Sequence, residues 1–457
     1  MPLCLVLIAL SGCAVSGKEA AFEGKVFNVV EQGAVGDGRT LDTAAIQKAI
    51  DAAVAAGGGR VLVPGGKTFV SGQLKLGDGV DFHVAEGATL LASEQRRLYA
   101  AGDEVLILAD GVKHPSVSGS GIIDGNSDKY IAAKGEVTHR MGAGRPGIVK
   151  FVRCPDAAVR NVTIRNSAHA TILLAGCHNA AIENVKITND RKVPNAYGLV
   201  IDRCRGVKVL NCEIDTGDDA VVIKNTARYN DDTACEDIAV DKCVLGSNSA
   251  AFKIGTETVG DFRRISVSDS EVRASNRGLA ILVRDSGRVS DVTFTDIRIE
   301  THLVADRWWG KAEPIHVSVF PRQLMDQPGK VRNMKFVNIR ATGENGVFIA
   351  ASDKASIENM LLDNVQIAIR KSADFPGGVY DTRPGAGNAI LKQRTAGIYA
   401  SRVTGLTLKN CSIKWGENAP ETWGAALETK KVTGLTVENF SGKSAFPGKV
   451  EDRISED

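Results

Sequence analysis

Aromatic residues make up only 5% of the 457 positions, and neither sign of charge dominates, since the formal net charge is +2. The near balance gives no support to a nucleic-acid partner, which would call for a basic face. Histidine is sparse, at 7 residues, and unclustered, and there is no Cys-x-x-Cys, so the sequence assigns no metal site and no cofactor. After the first few residues no segment is apolar for long enough to cross a bilayer. What is abundant is glycine, at 48 residues, together with valine and asparagine. That mixture suits short strands joined by tight turns and excludes a helical bundle.

The N-terminus reads as an export signal. Residues 3–10 form an apolar run too short to span a membrane, and it leads into Leu10-Ser11-Gly12-Cys13, which is similar to a bacterial lipoprotein box with Cys13 as the lipidated residue. The expectation is a periplasmic or outer-membrane-anchored lipoprotein, alternatively a secreted protein, touching membrane only through that anchor. Of 9 cysteines, Cys4 and Cys13 fall in this leader and seven remain, an odd number, so at least one is unpaired within the chain. The organisation expected is a leader over residues 1–20, one domain over 26–445, and a charged, solvated tail over 446–457.

An imperfect repeat organises the middle of the chain. Cys154-Pro-Asp-Ala-Ala-Val-Arg-Asn161-Val-Thr-Ile is followed by similar stretches beginning at Cys177, Cys204 and Cys235, at steps of 23, 27 and 31 residues. Weaker copies begin near Phe262, Val289, Val331, Ile357, Val403 and Val432. Alternation of Val and Ile with polar residues makes half-buried strands. An asparagine column runs through Asn161, Asn184 and Asn211 and on to Asn338, Asn364, Asn410 and Asn439. Asparagine tolerates the left-handed backbone of a sharp bend and can stack into amide ladders. Several short strands per turn of 20 to 30 residues predict an all-β chain, a right-handed parallel β-helix. Its open end needs a cover. Residues 42–56 are amphipathic, with Asp42 expected as N-cap and Gly57-Gly58-Gly59 as the stop, and they predict an N-terminal capping α-helix.

Insertions break the period at 126–146, 188–196, 301–313 and 370–396. Loops of that length on a compact scaffold are usually functional. They carry Tyr130, Trp308, Trp309 and Tyr380, whose ring faces suit sugar rings, although Trp308-Trp309 is also explained by packing a loop onto the solenoid. The least structural feature of the repeats is Gly217-Asp218-Asp219, two adjacent acids leading into Ala220-Val221-Val222-Ile223-Lys224. Adjacent carboxyls repel and are desolvated together, which separates their pKa values and makes one a proton donor and the other a base.

The chain is similar to glycoside hydrolase family 28, the polygalacturonases, within the pectin-lyase-like β-helices. The likeness rests on Phe27-Asn28-Val29-Val30 with Gly33-Ala34-Val35-Gly36-Asp37-Gly38 and Asp42-Thr43, on Gly119-Ser-Gly121-Ile-Ile-Asp124-Gly125, and on Gly217 to Lys224. It covers roughly residues 26–440. Three departures stand out. The family's Asn-Thr-Asp falls on Asn195-Ala196-Tyr197, its Gly-His-Gly on Ser249-Ala250-Ala251, and its Arg-Ile-Lys on Ala280-Ile281-Leu282. Only the paired acids and Lys224 carry over.

The resemblance implies inverting hydrolysis of an α-linked, galacturonate-containing polysaccharide of plant or bacterial origin by a monomer, with Asp218 as acid and Asp219 positioning or activating water. With Tyr197 in place of the third acid, Glu257 or Asp285 becomes the candidate base. Lys224, Lys253 and Arg277 are candidates to hold a substrate carboxylate, with Arg284, His316, Trp308 and Trp309 beside them. Register puts Val222, Lys253, Ala280 and His316 in one outward column. Two alternatives stay open: β-elimination using Tyr197, Lys253 or Arg284, and a surface lipoprotein that binds glycans without cleaving them.

Overall fold

The computed structural model describes residues 22–229, 234–387 and 389–457, so the leader and Cys13 lie outside the described residues. The chain winds as a right-handed parallel β-helix. One face is a 13-stranded sheet running from Leu74–Lys75 to Arg453–Glu456, one strand per coil, among the described residues. The other two sides belong to a larger sheet of 24 strands. Inward side chains stack in register: Phe151, Leu174, Ile201, Ile223, Ile254, Ile281, Val317, Ile349 and Ala400 form one continuous buried column. Each of these nine coils thus contributes one apolar side chain to the same dry ladder, which is why a degenerate repeat suffices to specify the fold.

The asparagine column behaves as the repeat predicts. Asn161, Asn184 and Asn211 have φ of 61°, 54° and 51°. Asn184 donates to Asn161 Oδ1 at 2.9 Å, and Asn211 donates to Asn184 Oδ1 at 2.8 Å. Asn184→Ala should cost about 1–2 kcal/mol, mainly for a β-carbon in left-handed backbone, while Asn184→Gly should cost clearly less. The shift in urea midpoint for the two variants measures this, and equal losses would refute the backbone explanation.

The helix Thr43–Ala55 caps the first coil and buries Ile46, Ala49, Ile50 and Ala53. Gly57, at φ 85°, ends it as expected, with Gly58 N donating to Ala53 O at 2.9 Å. Asp42 does not act as a side-chain N-cap. Its carboxylate instead accepts from Val35 N at 2.7 Å and Gly36 N at 3.2 Å, tying the preceding turn to the helix start. The C-terminal tail is also not simply solvated, because Arg453–Glu456 pairs in parallel with Leu427–Lys430 and extends the 13-stranded sheet. All seven described cysteines are buried free thiols, as in a core ladder.

Candidate active site

Asp218 sits where a β-carbon would not fit on the preceding residue. One added to Gly217 would lie 2.4 Å from Val193 O, so glycine lets the 188–196 insertion close against this turn. That insertion supplies Asn195, whose backbone N–H and side-chain amide donate to Asp218 Oδ2 at 3.2 and 3.4 Å. Asp219 N donates to Asp218 Oδ1 at 2.9 Å, and Ser247 Oγ donates to the Asp218 carbonyl at 2.6 Å. Arg145, from the 126–146 insertion, holds the other side of Asn195 by donating to its Oδ1 at 2.9 Å.

Asp218 lines a cavity of about 440 Å³ together with Tyr197, Lys224, Ser249, Lys253, Glu257, Arg277, Trp308, Trp309, Arg322 and Arg383. The cations on its walls arrive tethered to carboxylates. Lys224 Nζ is 3.1 Å from Glu257 and 4.5 Å from the centre of the Tyr197 ring. Lys253 pairs with Asp219, Arg277 with Glu313 at 3.2 Å, Arg322 with Asp285 at 2.8 Å, and Arg383 with Asp381 at 2.6 Å. Each cation is thereby aimed before any ligand arrives, and the Asp218 carboxyl faces the cavity held by amide and peptide donors among the described residues.

The electrostatics separate the carboxyls. Burial, and then the neighbouring Asp219 charge, raise the Asp218 pKa above the ordinary aspartate value, against Lys253 and Lys224. Burial also pushes Glu257 up, but Lys224 and Lys253 outweigh it and hold that carboxyl below the ordinary glutamate value. Burial works against a charged Lys253, yet Asp219 and Asp218 prevail, and its pKa is raised. Burial and then Asp218 push the Tyr197 phenol up, so its hydroxyl stays protonated at neutral pH.

The cavity therefore gathers Asp218, Glu257, Tyr197, Lys224, Lys253, Arg277, Trp308 and Trp309. The remaining candidates stand elsewhere. Asp219 is fully buried behind the wall, accepting from Ser249 Oγ at 2.7 Å and Ala250 N at 3.2 Å and forming an ion pair with Lys253. Asp285 is engaged by Arg322 and by Thr258 N at 2.8 Å, so it orients Arg322 and does not line the cavity. Arg284 is completely buried and donates to Ser318 O at 3.0 Å and Thr382 O at 2.7 Å; burial and the nearby Arg277 and Arg322 push it down to about 9. His316 occupies the outward column in the expected register, but it is sealed in, bonded to Glu313 and Ser318 and packed on Phe348. Burial, then Arg277, push it down to about 4, which leaves it neutral. Tyr130 and Tyr380 are buried as well, at 2% and 0% exposure, and present no face to a sugar.

Arg322, Arg383, Arg145 and Asn195 were not singled out as site residues from the sequence. Arg145, Asn195 and Arg383 lie in the insertions, and that position is the signal the sequence offers for them. Arg322 follows Pro321 just past a core strand, and nothing in the repeat marks it.

The sequence model for glycosyl hydrolases family 28 matches residues 55–377, most of the chain. The chain belongs to glycosyl hydrolase family 28. An exo-poly-alpha-D-galacturonosidase of Dickeya chrysanthemi is 29% identical over 253 residues, 43% of this chain and 41% of that one. The match thus spans about two fifths of that relative's length. A polygalacturonase of Malus domestica is 24% identical over 75% of this chain and 74% of its own. Among solved structures, the family 28 exopolygalacturonase of Yersinia enterocolitica superposes with a TM-score of 0.64 at 19% identity, over 92% of this chain and 78% of that one, which establishes a common fold.

Proposed function

We propose that the protein hydrolyses an α-linked, galacturonate-containing, pectin-like polysaccharide by inverting acid–base catalysis. The observation that carries this reading is one cavity holding two carboxyls whose pKa values are displaced in opposite directions, Asp218 upward and Glu257 downward. Such a pair divides the roles of acid and base. Asp218 protonates the leaving oxygen, and Glu257, ionised beside Lys224, activates water. Lys253, Arg277, Arg322 and Arg383 offer charge and hydrogen bonds to uronate carboxylates, and the Trp308 and Trp309 indoles offer apolar surface to ring faces. Asp219 acts by fixing Lys253. The high pKa of Tyr197 counts against its use as the base of an elimination. The leader residues and Cys13 support export, with the substrate met outside the cytoplasm.

Incubation with polygalacturonate, methyl-esterified pectin and alginate tests the reading. The expected result is new reducing ends from the galacturonate polymers, without ultraviolet-absorbing unsaturated ends, and with the anomer inverted in proton NMR spectra taken early. Unsaturated ends, or no cleavage of any of them, would sink it. Glu257→Gln should lower kcat by about a hundredfold with KM changed little, the behaviour of a lost general base. Retained kcat in that variant would move the base elsewhere.

A further inference from the structure

The groove that carries Asp218 is closed at one end. Outward side chains of three successive strands, Ile315–Val319, Val347–Ala351 and Ile398–Ser401, lie beneath other chain: His316, Ser318 and Phe348 are 0% exposed and Tyr399 5%. The cover is an antiparallel hairpin, Val379–Asp381 with Ile390–Lys392. Its Tyr380 ring stacks on Phe348 at 4.5 Å and on Tyr399 at 5.4 Å, and Ala396 N donates to the Tyr380 hydroxyl at 3.0 Å. Three loops lock together around it. Gly310 N donates to Asp381 Oδ2 at 2.9 Å, Arg383 Nη2 to the Trp308 carbonyl at 2.9 Å, and Ala386 N to Pro321 O at 2.8 Å. Arg284 Nη2 donates to the Thr382 carbonyl at 2.7 Å from below.

The inner surface of this wall is what the cavity meets: Arg277, Trp308, Trp309, Arg322, Arg383 and Pro384. Trp309 is half exposed, with the Arg383 guanidinium 5.3 Å from its ring centre. In the opposite direction the same face continues past Asp218. A second cavity of about 240 Å³, lined by Arg145, Lys150 and His169 among others, lies along it, and the outward Leu108 and Leu173 there are partly exposed. From the coil of Asp218 to the strand Arg277–Val283 at the foot of the wall is two coils, about 10 Å at the usual spacing of paired strands. That depth takes one or two sugar residues.

Resting on the hydrolase reading, we propose that this protein acts on chain ends: the terminus of an acidic polysaccharide enters against the wall, and Trp309 and Arg383 are the residues that recognise the terminal unit. A polymer cannot thread through a wall whose loops bond to each other and to the solenoid, so an internal bond reaches Asp218 only when it lies one or two residues from an end. Asp381 holds Arg383 from behind while the exposed Trp309 ring beside it remains free for a sugar face.

The test is the product profile of the full-length enzyme on polygalacturonate. One short product of constant length is expected from the first few per cent of cleavage onward, with viscosity falling only in proportion to bonds cut. An early ladder of oligomers would overturn the proposal while leaving hydrolysis intact; no new reducing ends from any substrate would instead fail the hydrolase reading, and this inference with it. Two capped oligogalacturonides identify the end. One has its reducing terminus reduced to the alditol, and the other carries an unsaturated non-reducing terminus left by a lyase. One of them should be cut at least about tenfold more slowly than the unmodified oligomer, and equal rates on all three would refute end recognition. Trp309→Ala, at an exposed ring, should keep the unfolding midpoint and raise KM for short oligomers about tenfold. Replacing residues 382–389 by a Gly-Gly link should turn the single product into a ladder. Should that variant fail to fold, the capped oligomers and Trp309→Ala still decide the matter.

Discussion

Asp218→Asn is expected to lower kcat by about a thousandfold, because an amide of the same shape keeps the Asn195 contacts but has no proton to give. The variant also has a pH signature. The carboxyl of Asp218 is active when protonated, and burial with the Asp219 charge raises its pKa, so activity should persist to higher pH than an ordinary aspartate allows and fall as pH rises past that raised value. Glu257 must be ionised, and Lys224 keeps it so to lower pH than an ordinary glutamate. The profile of kcat/KM is therefore a bell whose alkaline limb belongs to Asp218 and whose acid limb belongs to Glu257. Asp218→Asn should erase the alkaline limb in the residual activity. Linkage fixes the sign for stability. A carboxyl whose folded pKa exceeds its unfolded one binds its proton more tightly in the folded state, so it favours the fold at low pH and disfavours it as pH rises through the raised value. Replacement by asparagine removes that cost, and the variant should be at least as stable as the parent at neutral pH. A variant that is inactive and also markedly less stable would mean that Asp218 is structural.

Much of the molecule is legible in the sequence because a solenoid makes each side chain's environment periodic. The steps between Cys154, Cys177, Cys204 and Cys235 locate successive coils, and parity along each strand separates inward Ile223 and Ile254 from outward Val222 and Lys253. The same parity reaches Ala280 and His316 correctly. It fails to say that His316 is covered, because Phe348 packs on the His316 ring from the next coil and Tyr380 packs on Phe348 in turn, from a segment that follows no period. The same limit hides the partners of the acids. Glu257, Asp285 and Asp219 look alike as charges near a strand. Their fates differ through contacts with Lys224, Arg322 and Lys253, one of them supplied by a loop outside the repeat. Adjacent acids in the sequence suggest a proton donor and a base side by side, whereas the folded chain turns one carboxyl to the cavity and buries the other against a lysine.

That division of labour predicts a second large effect. Asp219→Ala leaves the Lys253 ammonium, which is only 14% exposed, without its carboxylate, and removing one member of a buried pair costs about 3–5 kcal/mol. The alanine also abandons the donors Ser249 Oγ and Ala250 N. Asp219→Ala combined with Lys253→Met should regain most of the lost stability, since the apolar replacement no longer asks for a counter-charge, while activity stays low because the cavity has lost a cation that faces substrate. The unfolding midpoint in urea for the two single variants and the double variant reads the coupling, which should be strongly favourable to the double. Its pH dependence has a defined sign. The pair raises the Lys253 pKa, so its stabilisation is fully present below the ordinary lysine value of 10.5 and is lost only as pH rises beyond that through the raised one. If Asp219 were instead the residue that activates water, Asp219→Ala would abolish activity with little change in midpoint, and Lys253→Met would not rescue its stability.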